Sequence, residues 1–256
     1  MGMFSDKKIL VLGVANAKSI AWGISEALHK EGAELAFTYV NDAIEKRLRP
    51  LAEGLGSKVI LPCDVASDSE IENLFVELES RWGRLDGVLH SVAFADGDDL
   101  KVRFSETSRA GFAKALDISA YSLIAVAGRA RKLMEQSGGS ILTLSYLGAQ
   151  RVVENYNVMG VAKAALESSV RYLAADLGQH NIRVNAVSAG PIRTLAASGI
   201  PHFKEMLRVF AEKTPLKRNV TQEDIAGSGL FYLGDLSRGV TGEVTYVDCG
   251  FNIMGL

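Results

Sequence analysis

The chain has 256 residues, 48% of them hydrophobic, and a formal net charge of −2. That is enough apolar material to close one full core in a single domain, and the basic residues are scattered rather than gathered into a stripe, which argues against a nucleic-acid partner. Two well-separated cysteines, Cys63 and Cys249, and four dispersed histidines offer neither a disulfide framework nor the spacing of a metal site.

In chain order, the run Ile9-Leu10-Val11-Leu12 after Lys7-Lys8 is too short for a signal segment or a membrane span, and it leads into a glycine-containing loop, so it reads as a first strand. Strand 8–13 is followed by helix 20–30, strand 34–39, helix 43–55, strand 58–63, helix 69–82 and strand 87–92. Helix 110–136, strand 140–145, helix 156–178, strand 182–187, helix 221–234 and strand 243–248 complete the pattern. The strands are nearly all apolar, the mark of a parallel sheet covered on both faces, and their alternation with helices predicts right-handed crossovers in a doubly wound α/β fold. No repeat or low-complexity linker intervenes, so a single domain over 1–256 is expected. With no targeting segment and no apolar stretch of about 18 residues, the expectation is a soluble cytoplasmic protein without a membrane partner.

Ligands of such sheets bind at the carboxyl ends of the strands. After the first strand, Gly13 opens a loop that meets the next helix near Ser19 and Ile20, where free N–H groups and the helix dipole suit a pyrophosphate. The glycine spacing is not that of the usual dinucleotide fingerprint, and a plain tight turn with a serine at the helix start reads equally well. Asp64, closing the third strand, suits either the amino group of an adenine or the N-cap of the following helix. The fourth strand ends in the small residues Ser91-Val92-Ala93, the fifth in Ser145-Tyr146 and the sixth in Ser188-Ala189-Gly190-Pro191-Ile192-Arg193-Thr194.

The most informative spacing is that of Tyr156 and Lys163, seven positions apart. At about 100° per residue, seven steps return to within about 20° of the starting angle, so the two side chains share one helix face two turns apart. A nearby cation favours the phenolate of Tyr and lowers the cost of releasing its proton, which makes Tyr156 a candidate acid or electrostatic clamp. A Tyr and a Lys on one exposed face would be the plain structural alternative.

The motifs Leu144-Ser145-Tyr146-Leu147-Gly148-Ala149, Asn155-Tyr156-Asn157-Val158-Met159-Gly160, Ser188 to Gly199 and Val247-Asp248-Cys249-Gly250-Phe251 resemble those of the short-chain dehydrogenase/reductase superfamily. Within it, they resemble the bacterial NADH-dependent enoyl-[acyl-carrier-protein] reductases of type II fatty acid synthesis. The resemblance runs along nearly the whole chain and implies a Rossmann-type fold. Most members of the superfamily carry Tyr four residues before Lys, where this chain has Met159, so it departs from the ketoreductase pattern. Moving Tyr by three residues shifts it by about 4.5 Å along a helix while nearly keeping its face. That displacement suits an enoyl thioester, which takes hydride at C3 and develops charge on the thioester oxygen, two carbons farther away.

The resemblance implies that Lys163 holds the nicotinamide ribose, Tyr156 stabilises the enolate and Tyr146 lines the acyl pocket. Gly13, Ser19, Ile20, Asp64, Val65, Val92, Ile192 and Thr194 would contact NADH/NAD+, and Ala95 the substrate. The segment 192–214 would form a lid, with Ala196, Ala197, Phe203 and Met206 as pocket walls; a surface helix is the alternative. Lys204 and Arg208 would face an acyl-carrier protein bearing the enoyl substrate. At the end of the second strand, Tyr39-Val40-Asn41-Asp42 offers no cation for a 2′-phosphate, which favours NADH. The resemblance also implies a homotetramer built through helices 110–136 and 156–178, and the apolar run 251–256 fits burial at a subunit contact or on its own core. A non-enzymatic dinucleotide sensor and a reductase of ketones or small enones are the alternative readings.

Overall fold

A computed structural model describes residues 2–195 and 203–255 of the chain. The strand β1 (Lys8–Leu12) is buried from its second residue onward and lies at the centre of the sheet, between β2 (Glu34–Tyr39) and β4 (Gly87–His90). Its alternate residues pack on opposite layers. Ile9 and Val11 join a core with Phe37, Leu89, Leu142 and Val187, while Leu10 and Leu12 join one with Val88, Ile141, Leu166 and Val184. A strand with two buried faces has no place for polar side chains, which is why its sequence is continuous in Ile, Leu and Val.

The remaining strands are β3 (Val59–Pro62), β5 (Gly139–Ser145), β6 (Ile182–Ala189) and β7 (Val244–Val247), and the seven lie in the order β3-β2-β1-β4-β5-β6-β7. Every pairing is parallel, with Leu12 opposite His90 and Ser145 opposite Ser188. The chain reverses its winding between β1 and β4, and the crevice that such a reversal opens at the carboxyl ends is where ligands of these sheets bind. The helices are α1 (Ile20–Lys30), α2 (Asp42–Gly54), α3 (Asp68–Trp82), α4 (Arg109–Leu116), α5 (Ser122–Met134), α6 (Asn157–Leu177), α7 (Phe203–Lys213) and α8 (Gln222–Leu233). This is the seven-stranded, doubly wound Rossmann-type fold that the alternating pattern predicts.

Two local departures bear on the site. The helix expected over 110–136 is α4 and α5 joined by a π-helical turn, Asp117–Tyr121. The widened turn sets the Ser119 hydroxyl on the loop after β4, where it donates to Phe94 O at 3.0 Å and accepts from Phe94 N at 2.9 Å. The joined stretch Arg109–Met134 is long and apolar enough to cross a membrane by length and composition, contrary to the expectation that no such stretch exists. Half of its most apolar window is buried inside the fold, as in the core helix of a globular protein. The second departure is Tyr156, which stands just before α6 rather than within it, with φ −93° and ψ −22° continuing the helical trajectory.

Candidate active site

The loop after β1 is built for close approach. Gly13 has φ +95°, and a Cβ there would stand 2.0 Å from Ser91 O, so only glycine fits between the two strand ends. Ser19 precedes α1 without capping it; its Oγ instead accepts from Ala15 N at 3.0 Å and Asn16 N at 3.2 Å, bracing the loop. The first turn of α1 holds no acidic residue and no side-chain cap, so its positive end is left for an anion. From the far end of the chain, Gln222 Nε2 donates to Ser19 O at 2.7 Å and Ala17 O at 3.2 Å and fixes the loop's height.

Helix capping settles the residues at two strand ends. Ser67, not Asp64, caps α3, accepting from Glu70 N, and Asp64 is left on the crevice with Oδ1 accepting from Ala66 N at 3.0 Å. Asn41 caps α2 by accepting from Ile44 N at 3.0 Å.

A cavity of about 780 Å³ runs along the carboxyl ends of the strands. Gly13, Ser19, Ile20, Asp64, Val65 and Val92 line it, as do Lys163, Ile192 and Thr194. Ala95, Tyr146, Tyr156, Phe203 and Met206 line it too, so the structure brings these expected residues to one space. Ala196 and Ala197 lie outside the described residues. The cavity is also lined by Met159 and by Phe94 and Ile118, the last two of which sequence reasoning did not single out.

Within it, Lys163 is buried at 6% exposure and its Nζ donates to Leu144 O at 2.7 Å. Burial pulls its ammonium down to about 8, and the Glu167 carboxylate opposes that loss. Tyr156 moves against expectation. Burial first, and then Tyr146, raise its phenol above the ordinary range, so Lys163 does not bring it towards the phenolate. A phenol held protonated is a hydrogen-bond donor, ready for a charge that develops only during reaction.

The Tyr146 ring meets Tyr156 edge-on, with centroids 4.9 Å apart at 69°, and its hydroxyl, also raised by burial, donates to Met206 Sδ at 3.7 Å. This ties the site to α7. Gly148 makes room for the pair, because a Cβ there would stand 2.4 Å from Tyr156 Cδ1. Asn157, at φ +37°, donates through Nδ2 to Val102 O at 2.8 Å and Leu100 O at 3.3 Å, anchoring the loop after β4 beside Tyr156. Asparagine tolerates that backbone better than most residues, a signal present but unread in the motif. Beneath the site, His90 is fully buried, with Nδ1 3.1 Å from Thr143 Oγ1 and Nε2 2.9 Å from Ser122 Oγ. Burial and then the Lys163 charge push it down to about 3, so it acts as a neutral strut between β4, β5 and α5.

On α7, Arg208 is paired with Glu205 at 3.8 Å and Glu212 at 2.7 Å, which dilutes the basic patch expected there. Phe251 stacks on Phe210 of α7 at 3.7 Å, while Ile253 remains exposed, so the terminal run packs partly on its own fold.

A family model described as Enoyl-(Acyl carrier protein) reductase matches residues 13–252. The chain is 52% identical over 254 residues to the enoyl-[acyl-carrier-protein] reductase [NADH] of Rickettsia felis, covering 99% of this chain and 97% of that one. The crystal structure of the Bacillus cereus enoyl-acyl carrier protein reductase with NADP+ and indole naphthyridinone is 53% identical, with a TM-score of 0.97 and full coverage of both chains. That of the Anaplasma phagocytophilum reductase in complex with NAD is 51% identical, with a TM-score of 0.96, covering 100% of this chain and 97% of that one.

Proposed function

The chain belongs to the enoyl-[acyl-carrier-protein] reductase family, and we propose that Tyr156 and Lys163 are the reaction centre of its NADH-dependent reduction. It is an oxidoreductase of the CH–CH group in fatty acid biosynthesis. The observation that carries the assignment of roles is that the buried Lys163 and the half-buried Tyr156 open on one cavity, with Met159 where a ketoreductase would have Tyr.

NADH, when bound, would supply a hydride to C3 of a trans-2-enoyl thioester, and the enolate left by that transfer would take a proton at C2 to give the saturated thioester. The Tyr156 phenol, kept protonated by burial, donates to the thioester oxygen as the enolate charge grows there. Lys163 has three N–H donors and spends one on Leu144 O, leaving two for the nicotinamide ribose hydroxyls. The open N-terminus of α1 and the Gly13 loop receive the pyrophosphate, and Ser19, whose oxygen already accepts twice, offers its own proton. Asp64 would accept from the adenine amino group, with Val65 and Ile20 lining the same part of the cavity, and the Ile192 to Thr194 stretch would meet the carboxamide. Ala95, Tyr146, Phe203 and Met206 would enclose the acyl chain, with α7 as its lid.

The Lys163 role sets a pH dependence. The reactive form is the ammonium, present below about pH 8, so kcat/KM should fall as pH rises through about 8. Lys163→Ala should raise the Kd for NADH by about tenfold or more, read by quenching of intrinsic fluorescence. A variant that binds NADH like the parent would remove Lys163 from the cofactor site.

The end of β2 favours NADH over NADPH. Asn41 is spent on capping α2, and Lys46 and Arg47 are exposed on the outer surface of that helix. We expect kcat/KM with NADH to exceed that with NADPH by about tenfold or more, since a 2′-phosphate would find no paired cation. Equal values would show that another group reads this position.

The exposed apolar residues Phe112, Tyr121, Ile124, Tyr172 and Ile253 support a homotetramer assembled through α4, α5 and α6. We place the enzyme in the cytoplasm as a soluble protein acting on the enoyl thioester of an acyl-carrier protein. A dinucleotide sensor would have dispensed with Tyr156 or Lys163, and a ketone reductase would carry Tyr at Met159; both alternatives are disfavoured on those residues.

A further inference from the structure

Glu167 lies one helical turn beyond Lys163 on α6 and is only 4% exposed. Ser145 Oγ donates to its Oε1 at 2.6 Å, and Gln150 Nε2 donates to its Oε2 at 3.4 Å. These two partners bracket the segment that carries Tyr146: Ser145 ends β5 immediately before it, and Gln150 follows the short turn Leu147–Ala149. The carboxylate therefore straps both sides of that segment to the helix that carries Lys163.

Its electrostatic surroundings are specific. Glu167 is the charge that opposes the desolvation of Lys163 from the same helix. From β4, His90 faces Lys163 but is held neutral by burial. From β7 comes Tyr246, whose phenol feels Glu167, Arg151 from the loop after β5, and Asp248, and is hydrogen-bonded by Gln150. A carboxylate taken out of water here would be costly if it only packed, and its two donors and the neighbouring ammonium compensate that cost.

We propose that Glu167 is a positioning residue of this reductase, which balances the buried side of the Lys163 ammonium and, through Ser145 and Gln150, straps the Tyr146 segment to α6. The inference rests on the role given to Lys163 above. It assigns to one side chain both the charge state of the cofactor-holding lysine and the placement of the tyrosine that packs edge-on to Tyr156.

The test is the pH profile of kcat/KM for the parent, Glu167→Gln and Glu167→Asp. Glu167→Gln keeps the volume and one acceptor but removes the charge, so its alkaline limb should move to lower pH by about one pH unit, giving about fivefold less activity at pH 8 and less than about twofold loss at pH 6. Glu167→Asp keeps the charge and should restore the limb. Should Glu167→Gln not fold, Ser145→Ala carries the test: the charge stays, the strap is cut, and kcat should fall by about threefold to tenfold with the limb unmoved. A limb in Glu167→Gln that coincides with the parent's, or a Ser145→Ala variant with the parent's kcat, overturns the role of Glu167 alone. A parent with no alkaline limb near pH 8 overturns the Lys163 reading and this inference with it.

Discussion

Tyr156→Phe is expected to lower kcat for enoyl thioesters by about 10²–10³-fold while leaving the Kd for NADH within about twofold, because it removes a donor that acts mainly on the transition-state charge. The phenol is raised by burial and by Tyr146, so it is protonated across the working pH range and its loss is the loss of a hydrogen bond to the growing enolate. The ring itself, set edge-on to Tyr146 at 4.9 Å and seated over Gly148, is kept by Phe. The variant should therefore fold like the parent, and steady-state rates beside fluorescence titration of NADH separate the two effects. A fall in NADH affinity equal to the fall in kcat would mean that Tyr156 serves binding rather than reaction.

Gly13→Ala should act at the other end of the site. The added Cβ would meet Ser91 O at 2.0 Å, and the residue would be held at φ +95°, where a side chain is strained whatever the space. The loop after β1 and the end of β4 cannot both stay in place, and the loop is what presents the open turn of α1. We expect the Kd for NADH to rise by about tenfold to a hundredfold, and stability to fall by about 2–4 kcal/mol, or roughly 5–10 °C in Tm. Calorimetric titration and thermal unfolding would read both, and unchanged NADH binding would show that the loop does not hold the cofactor.

The sheet was legible because a buried parallel strand must be apolar along its length, and each expected strand agrees with the observed one to within about two residues. The π-helical turn at Asp117–Tyr121 was not, since it changes the backbone hydrogen-bond pattern without changing which residue types occupy the helix. Asp64 and Ser67 are both good caps, and only the backbone geometry at the start of α3 chooses Ser67. The spacing of Tyr156 and Lys163 could be read from the helix period alone. The direction in which Tyr156 titrates could not, because burial is a property of the assembled fold. Long-range braces were hidden for the same reason: Gln222 and Ser19 are 203 residues apart, and nothing in either segment announces the other.

The displacement of Tyr156 from the ketoreductase position is tested most directly by comparing NADH consumption with crotonyl thioester and with acetoacetyl thioester under identical conditions. If Tyr156 is set for the oxygen of a conjugated thioester, kcat/KM for the enoyl substrate should exceed that for the ketone by about a hundredfold or more, as expected for loss of a well-placed donor. Equal rates, or a preference for acetoacetyl thioester, would contradict it.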